Sequence, residues 1–189
     1  VVTSCAMGYI TAAASTTNGF HALTAANANL LETHASQEQI ETWVPRLRTG
    51  EFAGTMALSE PQAGSSLADM RTKAVAQDDG TYRIFGNKIW ISGGDHELSS
   101  NIVHAVLARI EGAPPGVKGI SMFICPKFLL NEDGSVGARN DVQLAGLFHK
   151  MGGRGQTSTA LNFGEGEGAV AYLVGEPHQG LRYMFHMMN

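Results

Sequence analysis

Cysteine, charge and long apolar runs are all scarce in this chain, and each scarcity excludes a class of protein. Its 189 residues include two cysteines, Cys5 and Cys125, without a second Cys or His at ligand spacing, which favours a reduced, cytoplasmic protein and argues against a metal site. No apolar run approaches the roughly 20 residues that a membrane-spanning helix needs. The net charge is −4 and no basic cluster is present, so we expect no nucleic-acid partner and no membrane partner.

Neither end of the sequence looks like the natural end of a protein. The opening at Val1 lacks an initiator Met and the basic start of a secretion signal. The last residues, 180–189, have the pattern of the first turns of a helix, which predicts one apolar face formed by Leu181, Met184, Phe185 and Met188. We interpret the chain as a piece of a longer polypeptide in which a further helical region begins here.

Residues before Gly50 have helical patterns. Apolar residues recur at helical intervals from Phe20 to His34, and a second helix is predicted after Ser36, which forms a capping-box pattern with Gln39. Pro45 lies inside the second pattern and predicts a kink or a shortened helix. The residues before about 18 are rich in Ala and Thr and are weakly predicted to be helical.

After Gly50 the period changes to that of short strands separated by turns. Asp79-Gly80 and Gly86-Asn87 are turn signals, and the segments 112–116 and 130–137 have the composition of exposed loops. These patterns predict an α+β chain: a helical N-terminal segment, an antiparallel β-barrel or sandwich, and the start of a C-terminal helical domain. The predicted strands are 52–58, 71–76, 82–85, 88–92, 102–109, 120–125, 142–147, 159–163 and 169–173.

The segment 56–66, Met-Ala-Leu-Ser-Glu-Pro-Gln-Ala-Gly-Ser-Ser, ends one predicted strand in a loop rich in hydroxyl groups. Ser59, Ser65 and Ser66 offer donors and acceptors, and Gly64 lets the backbone approach a ligand closely. Consecutive N–H groups of such a loop suit a pyrophosphate. By itself, the segment is also explained by a tight turn in which Pro61 fixes φ and the serines cap the chain.

A second segment, Trp90-Ile91-Ser92, ends another predicted strand. Because strand residues alternate, Trp90 and Ser92 are expected on one face, so that a planar ring and a hydroxyl are presented together. By itself, the pattern equally fits a Trp in the core of a barrel. The nearby run Asp95-His96-Glu97 contains metal-ligand types, but adjacent residues converge poorly on one ion, so we expect no metal.

Together and in this order, the two segments resemble the acyl-CoA dehydrogenase family of flavoproteins. The segment 56–66 is similar to a family pattern of small residue, aliphatic residue, Ser/Thr, Glu, Pro and then small residue, Gly, Ser/Thr. The segment 90–92 resembles the family's second flavin stretch. Further similarities are Lys73 in Arg-Thr-Lys-Ala, the turn His149-Lys150-Met151-Gly152, and Leu173-Val174-Gly175-Glu176 before the last helix.

The resemblance covers nearly the whole chain and implies its division into domains. Residues 1–50 correspond to the end of an N-terminal helical domain, residues 51–176 to the middle β domain, and residues 177–189 to the start of a C-terminal helical domain. More narrowly, the segments 94–98, 101–104 and 149–152 resemble a long branch of the family that includes methylthiopropionyl-CoA and broad fatty-acyl-CoA dehydrogenases. The chain departs from the family by having Ser66 where an Asp is usual and Asp69 where a small residue is usual.

The resemblance implies an FAD-dependent oxidation of an acyl-CoA thioester to the 2,3-enoyl-CoA. The catalytic base is expected beyond Asn189, so the chain contains no catalytic residue, and Glu60 is expected to be structural. The implied partners are acyl-CoA, an electron acceptor such as an electron-transfer flavoprotein, and further copies of the protein. The implied FAD-binding residues are Met56, Leu58, Ser59, Gly64, Ser65, Trp90, Ile91 and Ser92, and the implied substrate-binding residues are Ser65, Gln156 and Ser158.

Two other functions remain open from the sequence. A non-catalytic β-barrel that binds a ligand or a protein would also lack a complete acid–base pair. A family member that binds nucleic acid while keeping its flavin would need a basic patch, and the acidic balance of the chain disfavours it.

Overall fold

A computed structural model describes Cys5 and residues 19–152 and 157–188 of the chain. Apart from Cys5, the helix predicted before residue 18 lies outside the described residues. Helix α1 spans Gly19–His34 and helix α2 spans Gln37–Thr49. No helix among the described residues is long and apolar enough to cross a membrane.

Helix α2 begins with the predicted capping box. The Ser36 side chain accepts a hydrogen bond from the Gln39 N–H, and the Gln39 side chain accepts one from the Ser36 N–H. Gly50, in the left-handed conformation with φ 78°, ends the helix. The prediction that Pro45 shortens this helix is wrong, because the helix continues through Pro45 to Thr49.

Among the described residues, ten strands follow the two helices. They are β1 (Phe52–Ala57), β2 (Lys73–Ala76), β3 (Tyr82–Ser92), β4 (Asn101–Ile110), β5 (Ile120–Pro126), β6 (Phe128–Leu130), β7 (Val136–Arg139), β8 (Val142–Leu147), β9 (Ser158–Phe163) and β10 (Ala169–Leu173). Short 3-10 helices span Leu67–Asp69 and Val117–Gly119, and helix α3 spans Gly180–Met188. The helical N-terminal segment, the β region and the final helix agree with the predicted fold class.

The strands form a barrel rather than a sandwich. The main sheet has the order β1-β4-β5-β10-β3-β9-β8, and β2 pairs with both β3 and β4, which closes a ring through β4, β5, β10, β3 and β2. The antiparallel arrangement holds for the other pairs, but β1 and β2 each run parallel to β4. Both are separated from β4 by long segments of chain, and such connections permit a parallel pair.

Two apolar cores lie on opposite sides of the strands. One fills the ring and contains Ala74, Ile84, Val106, Phe123 and other residues of the strands. The other lies between the sheet and the helices and includes Leu30, Leu31, Trp43, Val44, Leu47 and Phe52. The helices therefore cover one outer face of the barrel.

Three local predictions are wrong. Gly86-Asn87 is not a turn, because β3 continues through both residues as a single strand. The predicted loop 130–137 includes parts of strands β6 and β7, which form a separate hairpin. In helix α3, Phe185 and Met188 are 56% and 68% exposed and do not belong to the predicted apolar face; the buried residues are Gly180, Tyr183, Met187 and the predicted Met184.

Gly164 occupies a turn that no other residue fits without strain. Its φ is +75°, and an added Cβ would lie 2.4 Å from the carbonyl oxygen of Ile84 on β3. We expect Gly164→Ala to lower the free energy of unfolding by about 1–2 kcal/mol, measured by urea denaturation. Gly146→Ala is the matched control, because an added Cβ there meets no atom within 4 Å; equal losses in both variants would contradict this explanation.

Candidate functional site

Strand β3 carries a β-bulge at Trp90. The pairing with β9 shifts between Lys88 and Ile91, and Trp90 has a positive φ of 58°. The Trp90 side chain is 54% exposed while Ile91 is buried in the barrel core. Trp90 is therefore not a core residue, and the bulge turns its ring outward at a backbone conformation that is unfavourable for a large side chain.

The exposed Trp90 ring has two neighbours from the segment after β8. The ring of Phe148 lies with its centroid 6.1 Å away, and the Lys150 ammonium lies 5.9 Å from the Trp90 centroid. A cation this close to an indole face is attracted to the ring. The Trp90 ring thus lies at the surface beside the His149–Gly152 turn that the sequence pattern singled out.

Hydrogen bonds join the segment 56–66 to the residues of β3 just before Trp90. The Ile89 N–H donates to the Ser59 carbonyl at 2.9 Å, and the Lys88 Nζ donates to the Leu58 carbonyl at 3.0 Å. Glu60 and Ala63 exchange two further main-chain hydrogen bonds, which close the intervening turn. The loop after β1 is therefore fixed beside the end of β3.

The buried Glu60 carboxylate connects the loop after β1 with neighbouring segments of the barrel. Its carboxylate accepts hydrogen bonds from the main-chain N–H groups of Arg71 and Thr72, the Thr72 hydroxyl, the Gln62 amide and the Lys88 ammonium. Burial by itself raises the pKa of Glu60, but Lys88 and these hydrogen bonds outweigh it and lower the pKa to about 2. The expectation that Glu60 is structural is confirmed: it stays ionised and joins the loop to the start of β2 and to β3.

Lys88 is the residue whose role the sequence did not reveal. Its side chain is fully buried, and its Nζ lies 2.9 Å from a Glu60 carboxylate oxygen. The only signal in the sequence is a Lys at a strand position where burial on one face is expected. The partner stands 28 residues earlier, so pattern analysis does not connect the two.

Several donors of the loop and of the end of β3 are left without a partner. Among the described residues, none forms a hydrogen bond with the hydroxyls of Ser59, Ser65 and Ser92 or with the main-chain N–H groups of Gly64 and Ser65. Ser65 is exposed, while Ser59 and Ser92 are half-buried. Unpaired donors on two joined segments, one of which carries an exposed aromatic ring, suit a ligand with phosphate and ring-edge acceptors.

The remaining predicted residues contribute in different ways. The side chains of Met56 and Leu58 pack against the core beneath the helices, and that of Ile91 is 2% exposed in the barrel core. These three can meet a ligand chiefly through their main chain or a partly exposed edge. Ser158 is opposite Ser92 in the β3–β9 register, and Gln156 lies outside the described residues.

The two departures from the family pattern, Ser66 and Asp69, contact each other. The Ser66 hydroxyl donates to an Asp69 carboxylate oxygen at 2.7 Å, and the Ser66 side chain makes no capping hydrogen bond to the following 3-10 helix. Ser66 therefore does not act as a side-chain cap here. Its hydroxyl instead donates to the ionised Asp69 carboxylate, and a hydrogen bond to a charged acceptor is stronger than one between neutral groups.

The segment 95–97 has a structural role. Asp95 forms ion pairs with Lys127 at 2.5 Å and with Arg139 at 3.1 Å. Within the described part of the chain, no group of three potential ligands is placed to hold a metal. Both cysteines are free; Cys125 is buried, and burial raises the pKa of its thiol.

Comparisons with known proteins agree with this geometry. A family model described as acyl-CoA dehydrogenase, middle domain, matches residues 55–165. The 3-methylmercaptopropionyl-CoA dehydrogenase of Ruegeria pomeroyi is 47% identical over 88% of this chain, which spans 28% of that protein. The chain thus covers less than a third of the length of this curated relative.

Solved structures share the fold. A Caenorhabditis elegans protein, ACDH-11 in complex with C11-CoA, superposes with a TM-score of 0.78 over 96% of this chain and 30% of its own, at 24% identity. An acyl-CoA dehydrogenase from Bacillus anthracis complexed with FAD superposes with a TM-score of 0.66 over 85% of this chain and 25% of its own, at 25% identity.

The helix-covered barrel has the fold of the acyl-CoA dehydrogenase middle domain, which matches residues 55–165. The chain belongs to the acyl-CoA dehydrogenase family.

Proposed function

We propose that the intact protein is an FAD-dependent dehydrogenase that converts an acyl-CoA thioester into the 2,3-enoyl-CoA, and that this chain supplies one wall of its flavin site. The observation that carries the proposal is the fixed pairing of the loop after β1, which has unpaired donors, with the end of β3, which carries the exposed Trp90 ring. The relative from Ruegeria pomeroyi suggests a short thioether-containing acyl group as substrate.

The bound FAD would supply the redox chemistry by accepting hydride, and the residues of this chain would orient it. Trp90 would pack against the ring system, Ser92 would hydrogen-bond near its reactive nitrogen, and Ser59 would bond its pyrimidine side. Gly64 and Ser65 would hold the pyrophosphate with their main-chain N–H groups and the Ser65 hydroxyl, and Met56, Leu58 and Ile91 would contact the cofactor chiefly through their main chain. We assign the removal of the substrate proton to none of the described residues, because the buried Glu60 carboxylate is already engaged by Thr72 and Lys88.

The substrate and partners extend beyond this chain. Ser65, Gln156 and Ser158 are proposed to contact the acyl-CoA, and an electron-transfer flavoprotein is proposed as the electron acceptor. We place the protein in the cytoplasm as a homo-oligomer, with the domain boundaries at residues 50 and 176. The two free cysteines support a reducing compartment.

The test is the visible spectrum of the full-length gene product. We expect a yellow protein that binds FAD and that is bleached by an acyl-CoA in the absence of oxygen. The 2,3-enoyl-CoA should accumulate with a dye as electron acceptor. A full-length protein that folds but does not bind FAD would overturn the proposal and favour a non-catalytic binding module.

Single hydroxyl deletions sharpen this test. In the full-length protein, Ser65→Ala and Ser92→Ala are each expected to weaken FAD binding about fivefold, because each removes one hydrogen bond worth about 1 kcal/mol. The dissociation constant is measured by quenching of flavin fluorescence. Ser135→Ala, in the turn of the separate β6–β7 hairpin, is the control and should bind FAD like the unmodified protein.

A further inference from the structure

Lys88 places a buried positive charge directly behind the loop after β1. Its side chain has no exposed surface, and its Nζ donates to two acceptors, the Glu60 carboxylate and the Leu58 carbonyl. The Glu60 carboxylate is shared among several other donors on the side of β2. The ammonium is therefore the charged group that contacts the Leu58 peptide.

The Leu58 carbonyl and the Ser59 N–H are the two ends of one peptide unit. A charged donor on the carbonyl polarises the peptide and makes its N–H a stronger donor. This Ser59 N–H has no hydrogen-bond partner among the described residues. The peptide is also held in place, because the following Ser59 carbonyl accepts from the Ile89 N–H at 2.9 Å.

We propose that Lys88 is a positioning residue for the flavin, which fixes and polarises the Leu58–Ser59 peptide toward the pyrimidine edge and favours the reduced cofactor through its charge. This inference rests on the proposed function, since it requires a flavin at the loop. Two-electron reduction of FAD takes up two electrons and one proton and leaves one extra negative charge on the ring. A buried ammonium behind a polarised peptide stabilises that charge, since the interior screens it weakly.

Lys88 and Glu60 form a buried ion pair, and of these two residues it is Lys88 that titrates in the neutral-to-alkaline range. Glu60 is the charged side chain in contact with it. The start of β2 faces the pair with the Thr72 hydroxyl and with main-chain N–H groups, and β9 pairs Leu161 with Lys88. Burial lowers the pKa of Lys88 to about 8, with the Glu60 charge opposing the fall.

The experiment is a reductive titration of the full-length holoenzyme with dithionite from pH 6 to pH 9.5, with free FAD in the same buffers as reference. Above about pH 8, the ratio of the protein's affinities for reduced and oxidised FAD is expected to fall at least tenfold. For a two-electron couple this is a fall of about 30 mV relative to free FAD. A potential that runs parallel to that of free FAD throughout would overturn the proposal.

Two variants identify the titrating group. The break is the pH at which the potential begins to fall relative to that of free FAD. Glu60→Gln removes the carboxylate that raises the Lys88 pKa, so this break is expected at lower pH. Lys88→Met is expected to abolish it. A break that persists in Lys88→Met, or that does not move in Glu60→Gln, contradicts the proposal, because a merely structural lysine would leave the pH profile unchanged. If a variant does not retain FAD, the unmodified protein tests the proposal: a break in its titration supports the proposal, and the absence of a break contradicts it.

These failures are distinguishable from failure of the proposed function. A full-length protein without FAD refutes the flavin site itself. A protein that binds FAD, oxidises acyl-CoA and shows no Lys88-dependent break refutes only the role of Lys88.

Discussion

Replacing Glu60 by alanine is expected to lower the free energy of unfolding by about 3–5 kcal/mol, because it leaves a buried charge without its partner. Lys88 has no exposed surface and would either bury its ammonium against only the Leu58 carbonyl or give up its proton, and both are unfavourable. The main-chain N–H groups of Arg71 and Thr72 would also lose their acceptor. Each such unsatisfied group adds to the loss.

The measurement is urea denaturation of matched proteins at pH 7. Glu111→Ala is the control, because Glu111 is exposed and its carboxylate has no hydrogen-bond partner among the described residues; we expect a change within about 0.5 kcal/mol. Similar losses in Glu60→Ala and Glu111→Ala would show that the buried pair does not organise the loop.

The protein is expected to lose stability on mild acidification because of His104. This residue is fully buried on β4, with its Nδ1 hydrogen-bonded to the Thr55 hydroxyl at 2.7 Å and its Nε2 without a partner among the described residues. Burial lowers the pKa of His104 to about 3. Since the unfolded chain has the ordinary pKa of 6.5, unfolding takes up a proton below that pH.

The direction in which stability changes with pH follows from the lowered pKa of His104 in the folded state. The contribution of His104 is complete above pH 6.5 and is lost as the pH falls toward 3. At roughly 1.4 kcal/mol per pH unit, the loss between pH 6.5 and 4.5 is about 2–3 kcal/mol. This window lies above the range in which Glu60 is protonated, since its pKa is about 2.

Urea denaturation across this pH range tests the assignment. His104→Gln keeps a polar group near Thr55 but does not titrate, so its stability is expected to fall less steeply than that of the unmodified protein. His149→Gln is the control, because His149 is exposed, and should keep the original slope. Equal slopes in His104→Gln and the unmodified protein would assign the acid sensitivity to other groups.

Local patterns predicted much of the secondary structure. The capping box of Ser36 and Gln39 and the turn at Asp79-Gly80 are present, and the predicted strands 142–147 and 169–173 have the same bounds in the structure. These features depend on a few neighbouring residues, so a short window contains their cause. The β6–β7 hairpin was missed because none of its strand residues is buried and they lack a periodic apolar pattern.

The errors share a tertiary origin. Gly86 stays inside β3, where an added Cβ would lie 2.4 Å from the Thr72 hydroxyl oxygen, so this glycine permits close approach of two segments rather than a turn. The parallel pairing of β1 with β4 depends on residues about 50 positions apart. Such contacts are decided by packing and not by the local sequence.

The candidate site divides in the same way. The sequence by itself determined the chemical groups, the order of the two segments and their family, because these are properties of the residue types and their spacing. The tertiary structure decided that Trp90 faces outward on a bulge and that Lys88 lies buried against Glu60 and the Leu58 carbonyl. A buried charge is stable only where the fold delivers its partner, and here the partner lies on a different segment of the chain.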